Sequence, residues 1–176
     1  MPPTNIKLNA PQVISRIAND ADRRLAWEFF VFFSRFEYAL KRHECYLLSG
    51  EGNAEANWNR YASDHNNRFN PTTTETLLAA VDYFRNRPPK KQLRKNGKMH
   101  WSDPQTYDEK EPLLIWLIRC VRTVRNNLFH GGKFPETPVS DPSRDRELLA
   151  HALIILNASL NLNPEVTRIF IEGIDE

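Results

Sequence analysis

Apolar residues recur along most of this chain at three- and four-residue intervals, the spacing that lines one face of an α-helix. Leu25, Phe29, Phe32, Phe33, Phe36, Leu40 and Leu47 predict a long helix over residues 20–48, closed by Ser49-Gly50. Val13, Ile14 and Ile17 suggest a short helix before it, over residues 11–19. Residues 54–69 carry Trp58, Tyr61 and Phe69 among polar positions and predict a short helix. Thr74 is placed to cap a clearer one, with Leu77, Leu78, Val81 and Phe84 behind it and Pro88-Pro89 as its stop. A second long helix is predicted over residues 108–129, with Asp108, Glu109 and Glu111 favouring its positive end, Leu113 through Leu128 supplying the apolar face, and Gly131-Gly132 ending it. Beyond a proline-rich connection, residues 143–161 form another helix, and Pro164 opens a last short one holding Val166, Ile169 and Phe170.

No sustained alternation of β-branched residues interrupts this pattern, and the six glycines stand mainly in short clusters between the segments. The fold class is therefore all-α: a helical bundle of four main helices with short additional helices. At 176 residues the chain is the size of a single domain, and ten Phe and four Trp are enough to fill one core without disulfides. Cys45 and Cys120 fall within apolar helical patterns and outside any Cys-x-x-Cys motif, so both are expected to be buried thiols. No segment approaches about 18 uninterrupted apolar residues, and residues 1–10 lack a basic start followed by an apolar run. A cytoplasmic protein with no membrane association is expected.

A net charge of +2 argues against binding nucleic acid through bulk electrostatics and confines any such contact to a local patch. One stretch qualifies. Residues 85–98 hold seven basic residues and no acid, within a loop predicted at about 85–107. Lys90, Lys91, Arg94, Lys95 and, further on, Lys133 are the candidate RNA contacts, with Trp101 and Tyr107 placed either to stack on bases or to pin the loop. The bland alternative for the same stretch is a solvated surface loop.

The second candidate is Arg125-Asn126-Asn127-Leu128-Phe129-His130. Asn126 stands one turn before His130, so the two share a face while Arg125 points elsewhere. The glycine pair that follows lets the last turn open, and the negative end of the helix dipole favours a protonated imidazole. The structural alternative is an ordinary helix end, with His130 capping and Arg125 pairing with a nearby acid. His43, His65, His100 and His151 lack metal-ligand spacing, and no glycine-rich nucleotide loop is present, so neither a metal nor a cofactor is expected.

An Arg, a polar residue, a short gap and a His at the end of a long helix resembles the signature of the HEPN superfamily. Phe32-Phe33-Ser34-Arg35-Phe36-Glu37-Tyr38-Ala39-Leu40-Lys41-Arg42 similarly resembles the long first core helix of standalone bacterial HEPN proteins. The resemblance implies a helical domain spanning residues 1–176 that cleaves RNA without metal, leaving 2′,3′-cyclic phosphate ends. In that setting His130 is the general acid or base, Arg125 the phosphate clamp and Asn126 the orienting residue, with Arg35 and Glu37 supporting them. It further implies a homodimer with a composite active site and a role as a toxin or host-defence effector, with a cognate antitoxin as a possible partner. A non-catalytic HEPN module that binds RNA or a protein is the alternative.

Overall fold

The computed structural model describes residues 20–129 and 142–172. The short helix expected over 11–19, together with His130, the glycine pair and Lys133, lies outside the described residues. What is described is predominantly α-helical.

Helix α1 spans Asp20–Arg42 and buries Phe29, Phe33, Phe36, Ala39 and Leu40, spaced to fall on one stripe. It stops six residues short of the expected end. Tyr46 leaves the helical path to sit in the core, where its hydroxyl meets His65 Nε2 at 3.1 Å, and Leu47 pairs with Ala56 in an isolated bridge. Cys45 is thereby turned outward, which corrects the expectation of two buried thiols; Cys120 is buried. Asn57 caps α2 (Trp58–His65) by accepting from the Arg60 amide at 3.0 Å, and a 3-10 turn, Asn66–Arg68, follows. Thr74 Oγ1 accepts from the Leu77 amide at 3.1 Å, so α3 (Glu75–Asn86) begins at its predicted cap.

The stretch expected to be a loop instead contains an antiparallel hairpin, β1 (Gln92–Lys95) and β2 (Lys98–Trp101). Asn96 and Gly97 turn it with φ of 50° and 75°, the left-handed conformations that a tight hairpin turn demands and that Asn-Gly adopts at low cost. Helix α4 runs over Leu113–Phe129 and starts five residues later than expected. Glu111 is occupied before it: its carboxylate accepts two bonds from Arg119, at 2.6 and 2.5 Å, while Asn66 Oδ1 takes the Leu114 amide at 3.0 Å and caps the helix from a distance. Helix α5 spans Pro142–Leu160, and α6, Pro164–Ile171, is capped by Asn163, whose Oδ1 accepts the amides of Glu165 and Val166.

Leu114, Trp116, Leu117, Ile118, Cys120, Val121 and Val124 bury α4 on most sides. Around it pack α1, α2, α3 and α5, and α1 in turn carries α5 and α6. All the buried apolar side chains among the described residues join one core. Among the described residues no helix is long and apolar enough to cross a membrane. The consequence for function is positional: α4 is fixed along its length, and its last turn emerges beside α1.

Candidate functional site

Arg125 occupies that last turn. Its guanidinium lies over two aromatic rings, the buried Phe33 of α1 at 5.5 Å and the half-exposed Phe129 of its own helix at 5.4 Å. Phe129 is itself braced by Phe30 of α1, with ring centroids 5.1 Å apart. The two rings thus border an aromatic slot beside the guanidinium. One edge approaches Glu37 Oε2 at 4.0 Å, the outer limit of an ion pair, while the other carboxylate oxygen of Glu37 holds Lys41 at 3.3 Å. Asn126 Oδ1 accepts from Arg125 Nη1 at 3.2 Å. Among the described residues this is the one hydrogen bond the five N–H groups of the guanidinium make, which leaves donors that a bound oxyanion can take.

Glu37 and Arg125 are therefore neighbours, and Arg35 is placed elsewhere. Two residues before Glu37 on α1, Arg35 turns to the opposite side, where it donates from Nε to the Phe170 carbonyl at 2.8 Å and from Nη2 to the Glu172 carbonyl. It closes the C-terminal end of α6, where free carbonyls and the helix dipole favour a cation. Its work is structural. His130, directly after Phe129 in sequence, lies outside the described residues, as does Lys133.

The basic segment divides by role. Arg85 lies over the Tyr107 ring at 5.4 Å, and Arg87 faces Glu147 at 3.4 Å, so both bind the chain to itself. Lys90 is half-buried and gives its carbonyl to Asn127 Nδ2 at 2.9 Å. Lys91, Arg94, Lys95 and Lys98 are exposed. Tyr107 is pinned, with its hydroxyl donating to the Glu111 carbonyl at 3.1 Å and its ring 5.0 Å from Trp116, whereas Trp101 stays open to solvent.

Against protein-family models, curated proteins and solved structures alike, the chain has no match. The site is consequently read from its own chemistry. Among the described residues no three His, Cys, Asp or Glu gather into a metal-binding group.

A second polar cluster lies in the core away from Arg125. His65 Nε2 meets both Tyr46 Oη at 3.1 Å and Asn163 Nδ2 at 3.3 Å, and its Nδ1 is buried without a partner. Burial, helped by the nearby Arg68, holds its pKa below the ordinary histidine value. His43 stacks on Tyr46 and faces Glu165 at 3.3 Å. These contacts tie the 43–57 loop to α2 and to the cap of α6, and they belong to packing.

Sequence reasoning left three contributors without a role: the Phe33–Phe129 slot, the Asn127 tether and the hairpin. Only the hairpin had a local signal, the Asn96-Gly97 pair; the others depend on which helices meet.

Proposed function

We propose that the chain is a metal-independent endoribonuclease of the HEPN type, a bundle of four main helices working around the end of α4. Support comes above all from Arg125, whose guanidinium lies against two aromatic rings at a solvent-facing helix end, about one helical turn before the Phe129-His130 step. In this reading His130 takes the proton from a ribose 2′-hydroxyl as that oxygen attacks the adjacent phosphorus. The bond from phosphorus to the 5′-oxygen breaks, the leaving oxygen is protonated, and the products are a 2′,3′-cyclic phosphate and a 5′-hydroxyl. Arg125 stabilises the extra negative charge of the five-coordinate phosphorus, and its planar fork suits two phosphoryl oxygens at once. Asn126, already bonded to Arg125, orients that group or the imidazole. Two chains related by a two-fold axis would bring Arg125 of one toward His130 of the other and complete a shared cleft. A cytoplasmic toxin or defence effector, restrained by an antitoxin, is the setting this chemistry fits.

The test is end-labelled RNA incubated with the chain in EDTA, wild type beside Arg125→Ala and His130→Ala. Cyclic phosphate ends produced by the wild type alone support the proposal; equal cutting by all three, or none, rejects it. A non-catalytic RNA-binding module is the second reading, favoured by the exposed cations and apolar side chains of the hairpin. It predicts weakened association in Arg125→Ala with no new RNA ends.

A further inference from the structure

The hairpin is exposed on both faces. Directly opposed residues of an antiparallel pair share a face, so the register Gln92↔Trp101 and Arg94↔Met99 gathers Gln92, Arg94, Met99 and Trp101 on one side. Leu93, Lys95, Lys98 and His100 make up the other. Leu93 and Met99 are each 50% exposed and Trp101 45%, a large apolar outlay for a two-stranded ribbon that no described residue covers. At the tip Lys95 stands directly opposite Lys98, an arrangement that repels. Lys91, Arg94, Lys95 and Lys98 form no ion pair among the described residues. The root, by contrast, is tightly fixed. Lys91 and Ser102 exchange two hydrogen bonds, at 2.9 and 2.8 Å, Gln105 Nε2 bridges the Pro89 carbonyl and Thr123 Oγ1, and Asn127 holds the Lys90 carbonyl. A rigidly mounted ribbon whose cations repel one another is built to receive a polyanion.

We infer that this hairpin grips single-stranded RNA, with a base stacked on Trp101 beside Arg94 and Met99 on one face and the strand turning over the tip, where its phosphates meet Lys95 and Lys98. The choice of RNA rests on the function proposed above; the grip itself does not depend on cleavage. Single strands are specified by the indole, because an aromatic face can stack only on a base that is free of its own duplex neighbours. Paired RNA would find phosphate contacts alone. Thr123 and Asn127, which seat the root, lie one turn apart on α4, on the side away from Arg125. A strand held by the hairpin must therefore pass around the end of a helix roughly 10–12 Å across to reach Arg125. The hairpin selects and delivers; the helix end acts.

Binding is measured by fluorescence anisotropy with the full chain and a labelled, unstructured RNA oligonucleotide whose 2′-hydroxyls are all methylated. Such a strand cannot be cut by 2′-oxygen attack, so binding is read apart from cleavage. Trp101→Ala is expected to weaken binding roughly 5- to 100-fold and Trp101→Phe to restore most of it. Lys95→Ala with Lys98→Ala is expected to flatten the dependence of log K on log salt by about 1.4. Both sites are exposed, and unchanged melting curves will verify the fold. The inference is overturned if these variants bind like the wild type, or if a fully paired RNA of the same length competes as well as the single strand. Should the wild type bind the methylated strand yet leave ordinary RNA uncut, the nuclease proposal fails and the grip stands. If ordinary RNA is cut while the hairpin variants bind normally, only the grip fails.

Discussion

Asn127 donates its side-chain amide to the Lys90 carbonyl at 2.9 Å, joining the last turn of α4 to the root of the hairpin by one hydrogen bond. Removing it in Asn127→Ala leaves a half-buried carbonyl short of a donor. We expect a loss of about 1 kcal/mol in urea unfolding and faster amide hydrogen exchange over residues 91–102, with the rest of the chain unaffected. Unchanged exchange in that segment would mean the remaining root bonds suffice.

Glu37 competes with any oxyanion for Arg125. Because the pair is only at the 4.0 Å limit and part-exposed, Glu37→Gln is expected to alter stability by less than about 1 kcal/mol. Its effect falls on binding: RNA affinity should rise roughly two- to fivefold as a negative neighbour is removed. A fall in affinity would assign Glu37 the opposite task, that of holding Arg125 in place.

Phe36 is fully buried between the edges of Trp58 and Tyr61, with centroids at 5.1 and 5.4 Å. Phe36→Ala should cost about 3–5 kcal/mol in chemical denaturation. Val31, on the same helix but 44% exposed, should tolerate Val31→Ser with a change near zero.

The stability of the chain should fall on mild acidification. His65 and His151 both have pKa values lowered in the folded state, chiefly by burial. As pH drops below about 6.5 the unfolded chain therefore binds protons that the folded chain refuses, and stability declines until the folded-state values are passed. Above that range it is flat with respect to these groups. Melting temperatures across about pH 5 to 8 would check this, and His65→Gln with His151→Gln should flatten the profile.

The two thiols should differ sharply in reactivity. Cys45 is exposed, whereas burial pushes the Cys120 thiol up to about 12. A thiol-reactive dye is expected to label Cys45 in the native chain and Cys120 only after denaturant is added; rapid native labelling of both would contradict the packing of α4.

The parts legible in the sequence are those where a cap and a hydrophobic period agree within a few residues. Thr74 with Leu77, Val81 and Phe84 is one case, and Pro164, which starts its helix as expected, with Val166 and Ile169 is another. Where distant partners decide, the local signals mislead. Leu47 continues the spacing of α1, yet Tyr46 finds His65 on another helix and breaks the run. Asp108, Glu109 and Glu111 look like the first turn of α4, yet Glu111 is drawn to Arg119 and the helix waits for Pro112. The hairpin escaped because neither of its faces is buried, so it carries no period-two apolar stripe. For the candidate site, Arg125 was marked by its spacing and by family resemblance, but the aromatic slot that holds it exists only once α1 meets α4.

The clasp of Arg35 on the carbonyls of α6 also bears on how the chain acquires its shape. It joins segments near opposite ends of the described chain, so this contact has the most loop entropy to overcome and should be among the last to form. Arg35→Ala should accordingly speed unfolding while leaving the refolding rate almost unchanged. During synthesis, α1 leaves the ribosome long before its α6 partner exists, and its Phe32 waits uncovered until Phe170, 4.9 Å away in the finished fold, has been made. The newborn protein thus depends on Pro164–Ile171 to cover this side of Asp20–Arg42.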